Sequence, residues 1–124
     1  MWLIGLGFYF ILLRPPLLPE DVRYIGLFDE TNQTVPPKLE LWLDLVFTVM
    51  GGFIFATGVL LGYLCRTCLP AGLRGTTAVL FTAGIASVGC MSVVNFMIQS
   101  DFRWLLVLPT AAWIAGSALY ASGR

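Results

Sequence analysis

Two groups of side chains in this sequence have the types and spacing that chemistry requires. The first is a CxxC pair, Cys65 and Cys68, which could cycle between two thiols and a disulfide. The second is a set of five polar residues near the ends of long apolar segments: Glu40, Asp44, Asn95, Gln99 and Arg103. If those ends meet, the five side chains could bind a small polar or cationic ligand. Alternatively, Arg103 neutralises Asp44 and the cluster only fixes the packing of helices.

The sequence contains no histidine. Histidine-ligated haem, zinc sites that use histidine, and Ser–His or Cys–His nucleophile pairs are therefore excluded. We predict no catalytic residue, no metal and no cofactor. Seven basic and seven acidic residues give a net charge of zero, which argues against a nucleic-acid partner.

Long apolar segments must position these groups. Residues 41–65 carry one charge, Asp44, while residues 75–99 and 104–121 carry none. A helix needs about 20 apolar residues to cross about 30 Å of hydrocarbon, and a backbone in lipid must satisfy its own hydrogen bonds. Because the apolar residues run continuously rather than alternate, the sequence predicts membrane helices. The composition agrees, since only 11% of the residues are charged, against about 25% in soluble domains.

We predict an all-α integral membrane protein that forms a four-helix bundle in a single domain. The predicted spans lie near residues 1–14, 37–65, 75–99 and 104–121. Between the first two spans, proline followed by two acids predicts a short interfacial helix over residues 19–27, because acids favour the first turn. A turn is expected at residues 29–32.

The orientation follows from basic residues. Arg66 and Arg74 lie in a short connection without acids, and Arg124 is expected on the same side. By density of basic residues, the positive-inside rule places this side and both termini in the cytoplasm, at a bacterial inner membrane. The raw count opposes this, with three basic residues inside and four outside.

Glycines mark the helix surfaces that could approach one another closely. Gly51, Gly58 and Gly62 share one stripe of the second predicted span, and Gly84 lies on the stripe of the third span that also carries Asn95. Small residues let membrane helices pack backbone to backbone. We predict that these glycines pack helices within the chain, with a homodimer face as the alternative.

The phrases RPPLLPEDVRYIG, VMGGFIFATG and VNFMIQSDFRWLL resemble those of small bacterial integral membrane proteins with four helices. The resemblance would cover residues 14–106. It implies a bacterial membrane bundle and carries no activity.

The sequence thus predicts a non-enzymatic multi-pass protein: an accessory or scaffold subunit, or a bundle that binds a lipid or small solute. Its expected partners are membrane lipid and either a second copy or a larger membrane complex. One alternative is a thiol–disulfide or quinone-linked redox protein that uses Cys65 and Cys68. The long loop lacks the further cysteines that such proteins need, so reduced bystander thiols or a lipid-attachment site are also open. The last alternative is a small-solute carrier that works as a homodimer.

Overall fold

The computed structural model of the protein describes residues 1–26 and 35–123. These residues contain helices and no strands, and 79% of the chain is helical. The all-α prediction is confirmed. The described residues form five helices: α1 (Trp2–Leu12), α2 (Pro19–Ile25), α3 (Pro37–Thr67), α4 (Thr76–Met97) and α5 (Arg103–Ser122). The turn expected at residues 29–32 lies outside the described residues, as does the last residue of the predicted interfacial helix.

Three helices, α3, α4 and α5, are long and apolar enough to cross a membrane. They indicate a membrane-associated protein. The 11 residues of α1 are also apolar, but they form a helix only about 16 Å long, against about 30 Å of hydrocarbon. A fourth span therefore stays a prediction.

The surface of the helices is suited to lipid. Large apolar side chains remain exposed along them, such as Phe53 and Leu119 at 72% and 73%. Only Leu61, Leu80 and Val88 are buried hydrophobic residues in the part of the chain that the structure describes. Such an apolar surface would drive a water-soluble protein to aggregate, whereas a bilayer covers it with hydrocarbon.

The chain divides into two compact units, Met1–Gly62 and Tyr63–Arg124, and the boundary falls inside the continuous helix α3. In the first unit, α1 packs on α3 through glycines. A Cβ built on Gly58 would lie 2.8 Å from the backbone nitrogen of Ile4, and one on Gly51 would lie 2.9 Å from the Gly7 carbonyl oxygen. The two backbones are therefore too close for any side chain at these positions.

In the second unit, α4 and α5 pack against each other along a seam that includes a π-helical segment, Ile85–Gly89. Gly84, just before this segment, faces Trp113 so closely that a Cβ would overlap the indole ring. Gly84, Val88 and Ser92 are all buried. On a regular α-helix, side chains four positions apart differ in direction by about 40°. The wider turn of the π-helical segment reduces this difference between Gly84, Val88 and Ser92.

Candidate functional site

The second unit contains a cleft of about 250 Å³. This volume lies between the roughly 150 Å³ cavity that binds benzene and the roughly 300–1,000 Å³ pockets of drug-sized ligands. A single hydrocarbon chain or one small ring fits it. The cleft is lined by residues from the end of α3, the connection after it, the start of α4 and the second half of α5: Cys65, Leu69, Thr77, Leu80, Ala112, Trp113, Gly116, Ser117 and Tyr120.

Two long-range hydrogen bonds fix the walls of the cleft. At one level, the Trp113 indole N–H donates to the Leu80 carbonyl oxygen at 3.1 Å, which ties α5 to α4. At the other, the Tyr120 hydroxyl donates to the Leu69 carbonyl oxygen at 2.8 Å, which ties the end of α5 to the connection after α3. Trp113 and Tyr120 are separated by about 10 Å of helix. The cleft is therefore a preformed feature whose two ends are each held by a hydrogen bond.

The lining of the cleft contains no charged residue but several polar groups. The hydroxyls of Thr77 and Ser117 form no hydrogen bond within the described residues, and both residues are half-buried. No buried side-chain nitrogen or oxygen among the described residues lacks a partner, so these two hydroxyls are accessible rather than sealed in the interior. They are available to donate hydrogen bonds to a ligand that carries acceptor oxygens at this level.

The structure places the predicted cysteines at the same end of the second unit. Cys65 and Cys68 are free thiols, and Cys65 lines the cleft. The Cys68 sulfur lies 3.5 Å from the Thr67 hydroxyl. Redox cycling between the two cysteines stays a prediction.

The five residues of the predicted polar cluster are divided between the two units. Glu40 and Asp44 lie exposed on α3 in the first unit, and Asn95, Gln99 and Arg103 lie around the α4–α5 turn in the second. The Asn95 side-chain amide donates to a backbone carbonyl of its own helix at 2.9 Å. Gln99 has a positive φ of 52° in that turn. Within the described residues of the second unit, no hydrogen bond joins Asn95, Gln99 and Arg103 to one another. The assembly of all five stays a prediction.

Sequence reasoning missed an ion pair in the first unit. The Arg14 guanidinium lies 3.0 Å from the Asp21 carboxylate, and 3.5 Å from the centre of the Phe47 ring. The Arg14 side chain is only 8% exposed. The same Asp21 oxygen accepts a hydrogen bond from the Leu18 backbone N–H at 3.0 Å, which caps α2. In the sequence, this ion pair is indicated only by a basic residue directly after the first apolar segment and by the acids of α2 that follow it.

A second missed feature is a cluster of oxygens between α4 and α5. The Ser92 and Thr110 hydroxyl oxygens lie 2.8 Å apart, and the Thr110 hydroxyl donates to the Val88 carbonyl oxygen at 2.8 Å. Ser92 Oγ also lies 2.8 Å from the Leu106 carbonyl oxygen and 3.0 Å from that of Val88. The Ser92 and Thr110 hydroxyls have only one proton each, so two protons are shared among these four oxygen–oxygen contacts. The cluster joins α4, at and just after its π-helical segment, to α5 near Pro109, whose ring removes one backbone donor.

No group of three or more histidine, cysteine, aspartate or glutamate residues suited to a metal occurs among residues 1–26 and 35–123. No protein-family model matches the chain, and neither the curated proteins nor the solved structures give a significant match.

Proposed function

We propose that this protein is a small, non-enzymatic, multi-pass membrane protein that binds a membrane lipid in the cleft of its second unit, and that it acts as an accessory or scaffold subunit of a membrane complex. The observation that supports this proposal is the preformed apolar cleft with two unpaired hydroxyls, on helices whose surfaces suit hydrocarbon.

The chemistry of the cleft favours a lipid over a charged solute. No charged residue lines it, so a charge placed inside the cleft itself would be left without a counter-charge. A lipid tail gains no hydrophobic energy on leaving the bilayer, because lipid tails are as apolar as leucine side chains. Binding must therefore come from packing against the walls and from hydrogen bonds. Thr77 and Ser117 can donate such bonds to the ester carbonyls of a phospholipid, at about 0.6–1.7 kcal/mol each.

The topology that accompanies this function has four spans, with α1 as the first and α2 at the interface. We propose that the protein lies in a bacterial inner membrane with both termini in the cytoplasm, as the density of basic residues suggests. This arrangement would bring the polar ends of α3, α4 and α5 to one side. Tags inserted after residues 37 and 101 should then report the same compartment. Opposite compartments would exclude both this topology and the polar cluster.

The test of lipid binding uses Gly116, on the wall of the cleft. A Cβ at this position has no heavy atom within 4 Å, so Gly116→Leu should fill the cleft without moving the backbone. Gly52→Leu on α3 is the matched control, because Gly52 is exposed and equally open. Native mass spectrometry in mild detergent should show lipid on the wild type and on Gly52→Leu, and its loss from Gly116→Leu. Equal lipid retention by all three proteins would refute the proposal.

A second candidate function is a thiol–disulfide or quinone-linked redox protein, which the position of Cys65 in the cleft favours. It requires that Cys65 and Cys68 alternate between oxidised and reduced states in cells. Alkylation of intact cells with a membrane-impermeant probe tests this requirement. Thiols that are always reduced and never reached from outside would exclude it.

The carrier alternative depends on a dimer through the glycine stripe of α3. In the first unit, α1 already covers Gly51 and Gly58, whereas a Cβ on Gly62 has no neighbour within 4 Å. Any dimer through this stripe would therefore use Gly62. Disulfide cross-linking of Gly62→Cys in membranes should give dimers if the carrier proposal is correct, and only monomers if it is not.

A further inference from the structure

We propose that the lipid in the cleft is an anionic phospholipid whose phosphate is bound by Arg66 and Arg74. This inference rests on the proposed lipid-binding function and specifies the headgroup that the site selects.

The two arginines flank the cleft in sequence and lack a counter-charge. Arg66 directly follows Cys65, and Arg74 lies three residues before Thr77. Both Cys65 and Thr77 line the cleft. Both arginines are exposed, and neither forms an ion pair within the part of the chain that the structure describes. The one acid in residues 63–124 is Asp101, which lies in the turn at the far end of α4, about 33 Å away along that helix. The charged side chains of the described residues at the cleft end of the second unit are therefore all basic.

The groups along the cleft follow the order of groups in a phospholipid. The Tyr120–Leu69 hydrogen bond places the arginine-bearing connection beside the end of α5. The unpaired Thr77 hydroxyl lies near this end, about one turn before Leu80, and the Leu80–Trp113 pair forms the deeper apolar wall. Positive charge, hydroxyl donor and apolar wall thus follow one another, as phosphate, ester carbonyl and acyl chain do. A neutral hydrocarbon would use only the apolar part of this series, and in a zwitterionic phospholipid the headgroup ammonium would oppose the attraction between the arginines and the phosphate.

Each basic residue near an anionic lipid surface improves binding by about fivefold. We therefore expect the wild type to prefer an anionic over a zwitterionic phospholipid by at least about tenfold at low salt. The preference should weaken as salt increases, because exposed charges are screened within about 8–10 Å at physiological ionic strength.

The experiment measures competitive lipid binding to the full-length protein by native mass spectrometry. Phosphatidylglycerol and phosphatidylcholine with identical acyl chains are supplied in equal amounts, and the ratio of the two bound lipids is recorded. The variants are Arg66→Gln with Arg74→Gln, and Gly116→Leu. Lys38→Gln is the control for charge removal, because Lys38 is exposed at the opposite end of α3.

The proposal expects that the double arginine variant binds as much total lipid as the wild type but loses its preference for phosphatidylglycerol. Lys38→Gln should keep the preference. A wild type without preference, a double variant that keeps it, or an equal loss in Lys38→Gln would each overturn the anionic headgroup while leaving the cleft proposal intact. If Gly116→Leu retains its lipid, the proposed function itself fails. This outcome is measured as the total amount of bound lipid, whereas the headgroup preference is measured as the ratio of the two bound lipids.

Discussion

Gly58 provides the sharpest test of how the first unit is held together. In Gly58→Ala, the new methyl group would lie 2.8 Å from the Ile4 backbone nitrogen and 2.9 Å from its Cγ1 atom. A backbone nitrogen cannot rotate out of the way. The substitution must therefore push α1 away from α3.

The size of the effect follows from these distances. Ordinary van der Waals contact begins at 3.4 Å, so relief of the 2.8 Å contact requires a shift of about 0.6 Å. A gap of about 0.5–1 Å between two atoms in contact loses a quarter to a half of their van der Waals attraction. The same shift would also open the contacts that Gly51 and Gly7 make between α1 and α3. Overpacking of this kind costs about 1–3 kcal/mol of unfolding free energy.

Gly62→Ala is the matched control on the same stripe, since a Cβ there has no neighbour within 4 Å. Alanine is favoured over glycine in a helix by up to about 1 kcal/mol, so this variant should be neutral or slightly more stable. Reversible unfolding in mixed micelles, at low protein concentration, measures both free energies. If Gly58→Ala is as stable as the wild type, the close packing of α1 on α3 is wrong. If Gly62→Ala is destabilised instead, another helix covers Gly62 and a dimer gains support.

Three further experiments test the remaining contacts. Arg14→Gln removes the part-buried ion pair with Asp21 and the ring contact. It should cost about 1–3 kcal/mol, because the Asp21 side chain is 20% exposed and water can partly solvate the carboxylate that is left. Faster amide exchange confined to α2 is the expected signature, and unchanged exchange would contradict it. The double-mutant cycle of Ser92→Ala with Thr110→Val should give a coupling of about 0.6–1.7 kcal/mol, measured by unfolding in micelles, whereas additive effects would rule out a shared hydrogen bond. Trp113→Phe loses both the indole donor to Leu80 and the ring atoms that lie against Gly84. It should therefore cost more than the roughly 1 kcal/mol of one hydrogen bond, and a stability equal to the wild type would contradict this contact.

The long helices were predictable because composition alone determines them. The segments predicted at residues 75–99 and 104–121 appear as Thr76–Met97 and Arg103–Ser122, within two residues at each end. A lipid-embedded backbone has to close its own hydrogen bonds, so a continuous apolar segment has few alternatives to a helix. The predicted start of α2 at Pro19 is likewise local chemistry, since a proline and two acids suit the first turn.

The site was not predictable in the same way. The hydrogen bonds that frame the cleft join residues 33 and 51 positions apart, and no local pattern encodes such pairs. Ser92 and Thr110 are 18 positions apart, and their contact becomes apparent only when α4 and α5 are placed side by side. The burial of Arg14 beside Phe47 likewise depends on the three-dimensional course of the chain.

The length of α3 has a consequence for the membrane that hosts the protein. Its 31 residues extend about 46 Å, which matches a whole bilayer of about 40–45 Å with its headgroups. The charge-poor part, residues 41–65, spans about 37 Å and so exceeds an average hydrocarbon layer by about 7 Å. This hydrophobic mismatch must be relieved by tilting of α3 or by local thickening of the bilayer. By its own length α3 therefore favours bilayers of longer acyl chains, whereas the 11 residues of α1 favour a thinner hydrocarbon layer on the same unit.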